Sequence, residues 1–96
     1  MMFTIIFPVL NERLRLESGV TRTVEYLQSI AFEDYEIIIV DNGSEDETPQ
    51  IAENLCKKYD KVKYERINVR GVGAAFRRGV EVSHGDVVGY MHIDLS

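Results

Sequence analysis

Four β-branched residues in succession, Ile37-Ile38-Ile39-Val40, run directly into Asp41-Asn42-Gly43-Ser44-Glu45-Asp46-Glu47-Thr48. A short, unbroken apolar run bounded by turn residues reads as a strand buried on both faces. Ser44 and Glu47 stand in the Ser-x-x-Glu spacing of a capping box, which predicts a helix over about 47–59. Ile51, Leu55 and Tyr59 then repeat every four residues and face the sheet. Cys56, the chain's single cysteine, falls beside that stripe and reads as a buried, inert thiol. Ligands of open α/β sheets bind just beyond the carboxyl ends of the strands. Asp41 therefore stands where a ligand would be met.

The flanking segments repeat the pattern. Phe3-Thr4-Ile5-Ile6-Phe7 predicts a second buried strand, ended by Pro8, which cannot donate to a ladder. Asn11 reads as the N-cap of a helix with Glu12 in its first turn. Leu16, Val20, Val24, Leu27 and Ala31 form its apolar stripe. Gly19 inside that helix costs about 1 kcal/mol relative to alanine. Residues 61–67 alternate polar and apolar, which predicts an edge strand protected by its charges. Gly71-Val72-Gly73-Ala74-Ala75 opens a third helix, closed by His84 and Gly85. Residues 86–93 read as a fourth strand.

The order β-α-β-α-β-α-β implies a three-layer, Rossmann-like α/β fold, with a parallel sheet between helices. Two apolar strands at the centre and an alternating one at an edge give the spatial order 3-2-1-4. The 96 residues suit one small domain, and the ending looks like a cut through a larger one. A net charge of −5 without a basic cluster argues against a nucleic-acid partner. No apolar run approaches the ~18 residues of a membrane span, and the start lacks the pattern of a signal peptide. Exposed sheet edges predict self-association into a homo-oligomer.

The unusual polar residues gather at the carboxyl ends of the strands: Asn11 and Glu12, then Asp41, Asn42 and Ser44, then Gly71 and Gly73, then His92 and Asp94. Asp41 is suited to accept a hydrogen bond from a base N–H, or to satisfy its own turn. Glu12 could hold a ribose hydroxyl or the base, or act as a first-turn charge. The two glycines allow close approach of a phosphate or of a packed neighbour. Arg77 could reach a phosphate as a forked donor or remain a solvated surface residue. Asp94 suits a divalent cation shared with a diphosphate. On an extended strand His92, two residues earlier, would point the same way.

Taken together, these motifs resemble the N-terminal half of the inverting GT-A glycosyltransferases of family 2, particularly the polyprenyl- and dolichyl-phosphate sugar synthases. Pro8-Val9-Leu10-Asn11-Glu12 looks like the family's Pro-x-Tyr-Asn-Glu, with leucine at the tyrosine position. The run from Asp41 to Thr48 matches its Asp-(Asp/Asn)-Gly-Ser-x-Asp-x-Thr. Gly71-Val72-Gly73-Ala74-Ala75 is similar to its Gly-x-Gly-Ala-Ala. His92-Ile93-Asp94-Leu95-Ser96 resembles its Asp-x-Asp-Leu-Ser, with histidine at the first aspartate.

The resemblance implies a UDP- or GDP-linked sugar as donor and Mn²⁺ or Mg²⁺ as cofactor. It also implies a lipid phosphate or glycan as acceptor and a catalytic base beyond Ser96. Pro8, Val9, Asn11, Glu12, Asp41, Asn42, Ser44, Gly71, Gly73, Arg77 and His92 would surround the nucleotide, and Asp94 with His92 would hold the metal. A cytoplasmic location, at the membrane face in a full-length parent, goes with that reading. The alternative is a catalytically inactive nucleotide-binding or regulatory module, favoured by His92. A phospho-acceptor receiver would need carboxylates after the first strand and a late lysine. A dinucleotide oxidoreductase would need its glycines after the first strand.

Overall fold

The computed structural model describes residues 1–94. Leu95 and Ser96, which end the last motif, lie outside the described residues. Four strands, β1 (Phe3–Val9), β2 (Tyr35–Asp41), β3 (Val62–Arg66) and β4 (Val87–Tyr90), alternate with three helices, α1 (Leu16–Ser29), α2 (Thr48–Lys58) and α3 (Val72–Val82). The sheet is parallel and ordered β3-β2-β1-β4, as the strand patterns require. Every residue of β2 is buried. Phe7, Val9, Ile37 and Ile39 pack under α1 and α2 against Leu16, Val20, Val24, Ala52 and Leu55. Ile6, Ile38 and Val40 pack on the other face against Ala75 of α3. Alternate residues of one strand thus feed two separate cores, which is why β1 and β2 carry no polar face. Cys56 is half-buried beside the larger core, and burial pushes its thiol up, away from the reactive thiolate.

Several local expectations shift. The strand β1 does not stop at Pro8 but continues to Val9, with Pro8 opposite Val40 of β2. The Ile6 carbonyl accepts from Met91, whereas the Val9 carbonyl accepts from Asn42. Pro8 shares the direction of Ile6, so its missing N–H faces β4, not β2. The next rung of the β1–β4 ladder therefore has no donor, and β4 ends at Tyr90. The chain turns inward at Ile93, which is buried. Hence His92 lies past the strand end and Asp94 in the turn with Ile93, and the expected strand over 86–93 is half that long.

Helix α1 begins at Leu16, later than an N-cap at Asn11 would give. Asn11 is instead left-handed, with φ 53°, and its side chain is used elsewhere, as described below. Ala31, expected on the α1 stripe, lies past the helix end with φ 56° and is exposed. Helix α2 begins at Thr48 without a Ser44–Glu47 capping box; the Thr48 N–H donates to Asp46 Oδ1 at 2.9 Å. None of the helices described is long and apolar enough to cross a membrane.

Two contacts explain residues that look unfavourable in isolation. A Cβ on Gly19 would collide with the Ile93 carbonyl, so the bare backbone of α1 is what admits the turn after β4. At the other end of the sheet Glu36 is buried and accepts from the Thr4 hydroxyl at 2.7 Å and from the His84 backbone N–H. The Gly85 N–H in turn donates to Thr4 at 3.0 Å. Burial pushes the Glu36 carboxyl up, but the hydrogen bonds from His84 and Thr4 outweigh it and hold it below its ordinary value.

Two predictions follow from these contacts. Gly19→Ala introduces overpacking of about 1–3 kcal/mol, outweighing the roughly 1 kcal/mol gained in helix propensity, and should lower the urea midpoint. The Glu36 clamp contributes stability above the ordinary carboxylate value of 4.5 and loses it as pH falls through the lower folded value. Urea denaturation at decreasing pH should therefore show a fall in stability that Glu36→Gln flattens.

Candidate functional site

The carboxyl ends of the strands meet at a cleft of about 250 Å³ lined by Pro8, Val9, Leu10, Glu12, Asn42, Gly71, Val72 and His92. Residues following all four strands contribute. Six of the residues expected from sequence are brought together here: Pro8, Val9, Glu12, Asn42, Gly71 and His92. Helix α3 begins at this cleft, with Gly71 as its N-cap at φ 126°, a conformation open to glycine. The positive end of the helix dipole therefore lies at the cleft. Asn42 is buried; with its amide oriented to satisfy both ends, it donates to the carbonyls of Val69 at 3.2 Å and Gly71 at 3.1 Å. It thereby joins the β2–α2 turn to the segment that opens α3.

Glu12 is held by its backbone. Its N–H donates to Thr48 Oγ1 at 2.9 Å, and its carbonyl accepts from Arg15 and Leu16. Its carboxylate pairs with Arg15 Nε at 3.0 Å and remains about a quarter exposed, at 23%. The neighbouring Asn11 N–H donates to Ser44 Oγ at 2.8 Å, and Asn11 Oδ1 accepts from Glu45 N–H at 2.8 Å. Asn11 and Ser44 are therefore struts between two loops, behind the cleft.

Asp41 is the expected base-binding residue that stands in the most altered position. Its side chain is fully buried and lies off the cleft lining. Oδ1 accepts from the N–H groups of Gly43 at 3.0 Å and Ser44 at 2.7 Å, the arrangement of an aspartate that organises its own turn. Oδ2 accepts from the Tyr64 hydroxyl at 2.7 Å and from Arg66 Nη1 at 3.3 Å. Burial, then the bond to Asp41, push the Tyr64 phenol up to about 12, so it stays a neutral donor. Tyr64 and Arg66 were missed in the sequence, where residues 61–67 read only as an alternating edge strand with one wet face. The available signal was alternation: Val62, Tyr64 and Arg66 share one face, and Arg66 pairs in register with Asp41.

The remaining expectations divide. Gly73 is exposed, and a Cβ there would meet nothing within 4 Å, so packing inside this chain does not require glycine. Arg77 is exposed on the second turn of α3 and lies off the cleft lining. Asp94 is exposed in the turn after His92 and is also off that lining. The His92 ring sits edge-on to Tyr90, with centroids 6.3 Å apart. Among the described residues no three His, Cys, Asp or Glu side chains are grouped as a complete metal cage. Asp94 offers one carboxylate and His92 one imidazole, so a cation here would have to complete its shell with phosphate and water.

A parallel sheet in 3-2-1-4 order, with a cleft at its carboxyl rim and a glycine-started helix beginning at that cleft, defines a Rossmann-like α/β protein. The chain belongs to glycosyl transferase family 2, whose family model matches residues 4–96. It is 35% identical over 95 residues to glycosyltransferase AglD of Haloferax volcanii, covering 97% of this chain and 15% of that protein. It is 36% identical over 95 residues to dolichol-phosphate mannosyltransferase of Pyrococcus furiosus, covering 99% of this chain and 26% of the relative. Among solved structures, a mannosyltransferase from Pyrobaculum calidifontis in complex with GDP-Man and Mn²⁺ superposes with a TM-score of 0.83 at 22% identity. That match covers 96% of this chain and 27% of the other, and shows the shared fold. The chain thus spans about a quarter or less of the length of these proteins.

Asp41→Asn tests the geometry directly. It replaces an acceptor that serves four donors by an amide with one oxygen, and should cost about 1–3 kcal/mol in urea denaturation.

Proposed function

We propose that the cleft binds the nucleotide of a UDP- or GDP-linked sugar, and that the protein transfers that sugar to an acceptor with inversion. The observation that carries this reading is the convergence of four strand ends on one cleft that combines a carboxylate, an amide and a helix N-terminus. Family membership and the names of the relatives support the same chemistry.

In this reading the N-terminus of α3 faces the diphosphate, because unsatisfied backbone N–H groups and the dipole favour anions there. Glu12 accepts from ribose hydroxyls, and Asn42 contacts the base or ribose. Asp94, with His92, would hold Mn²⁺ or Mg²⁺, which would supply positive charge to the departing diphosphate. Imidazole is a better ligand for Mn²⁺ than for Mg²⁺, so His92 favours manganese. The acceptor oxygen forms a bond to the anomeric carbon from the face opposite the diphosphate, and the bond to the diphosphate oxygen breaks. A hydroxyl acceptor needs a base to take its proton; a phosphate acceptor is already anionic at neutral pH and needs none. The dolichol-phosphate relative supports a lipid phosphate.

A second reading is favoured by one observation. His92 stands where the family has its first metal-binding aspartate, which suits a nucleotide-binding module without turnover. His92→Asp should raise sugar-nucleotide hydrolysis in a longer form of the protein only if that module reading holds.

Calorimetric titration of the chain with UDP and with GDP, each with Mn²⁺, should give heat for at least one. Glu12→Gln and Asn42→Ala should each weaken that binding about tenfold, equivalent to ~1.4 kcal/mol. No heat with either nucleotide would exclude the proposal.

A further inference from the structure

We infer that Tyr64 and Arg66, on the edge strand and outside the cleft, are positioning residues for the nucleotide site, acting through Asp41. Their role in ligand binding rests on the function proposed above; their role in the loop geometry does not.

The path runs through hydrogen bonds and adjacent residues of the chain. Tyr64 Oη and Arg66 Nη1 both donate to Asp41 Oδ2. Arg66 Nη2 also donates to the Ser44 carbonyl at 2.9 Å, so one guanidinium holds the turn at two points. The other oxygen of Asp41 takes the N–H groups of Gly43 and Ser44 and sets the turn. Ser44 Oγ then receives the Asn11 N–H, and Thr48 Oγ1, at the start of α2, receives the Glu12 N–H. Glu12 and Asn42, the two polar side chains contributed to the cleft by β1 and β2 loops, stand at the end of this path. Asn42 follows Asp41 directly, so its approach to the cleft depends on the same turn.

The chemistry explains why an edge strand carries these two residues. A buried carboxylate needs its lone pairs filled. The local turn can fill only one oxygen. The second oxygen faces β3 and, among the described residues, accepts from two side chains of that strand. Tyr64 is a neutral donor of fixed length, while Arg66 supplies the countercharge and remains 42% exposed. Its cost of burial is therefore modest, and its loss should loosen the turn without unfolding the sheet.

Two variants, Tyr64→Phe and Arg66→Gln, with Arg66→Lys as a conservative replacement, test the inference in the full 96-residue chain. Amide hydrogen exchange is read at Asn11, Glu12, Gly43 and Ser44, with Ile6 and Ile38 of the two central strands as sheet references. Losing a hydrogen bond to a charged group should accelerate the four loop amides about tenfold while the reference amides keep their rates. Arg66→Lys should restore part of the protection. UDP or GDP affinity with Mn²⁺ should fall about tenfold in parallel, although neither side chain touches the cleft. Unchanged exchange at Asn11 and Glu12 overturns the inference. A uniform acceleration that includes Ile6 and Ile38 overturns it too, because it reports only lost global stability. If the wild-type chain binds neither nucleotide, the proposed function fails, and the exchange pattern still decides the relay.

Discussion

The Asp41 carboxylate is the interaction on which the carboxyl end of the sheet depends. It sits at the last position of a strand that is buried throughout, and no solvent reaches it. An unpaired charge in such a place would be strongly destabilising. Its four protein donors come from the turn that follows it and from the neighbouring edge strand. Satisfying one carboxylate therefore determines the path of the β2–α2 turn and its distance from β3. The β1–α1 loop is then hung from the same turn through Ser44, Glu45 and Thr48. The cleft is the space left between these loops and the start of α3.

A second buried carboxylate plays the corresponding part at the opposite end of β2. Glu36 gathers Thr4 from β1 and the backbone of His84 from the α3–β4 connection. The central strand is thus stapled at both ends by acids whose donors lie on neighbouring elements. The two ends differ in consequence. At the amino end the staple closes the sheet over a short connection. At the carboxyl end it leaves room between the loops, and the residues of the cleft line that room.

The two sheet edges contrast. The β3 edge carries Lys63, Glu65 and Arg66, charges that discourage pairing with another strand. The β4 strand, Val87 to Tyr90, carries none. Its length is set by Pro8, a residue of the adjoining strand that withholds the donor for the next rung. The turn that results packs Ile93 against the bare backbone of Gly19. A proline on β1 and a glycine on α1 therefore decide together where His92 and Asp94 are found.

Element order, the parallel sheet and its 3-2-1-4 arrangement were legible in the sequence because they follow from periodicity and burial, which are local and redundant signals. So was the gathering of polar residues at the strand ends, and the family resemblance drew on the same motifs. Single side chains were less legible. Asn11 read as an N-cap, and Ser44 as half of a capping box, because those are the commonest local uses of such residues. Both are taken by partners more than 30 positions away.

The sequence by itself determined which segments are strands and helices, since hydrophobic spacing dictates which surfaces must be buried. Tertiary structure alone decided which acid faces the cleft and which is sealed behind it. That choice depends on donors from β3, and no local pattern around Asp41 encodes how close Tyr64 and Arg66 come to it.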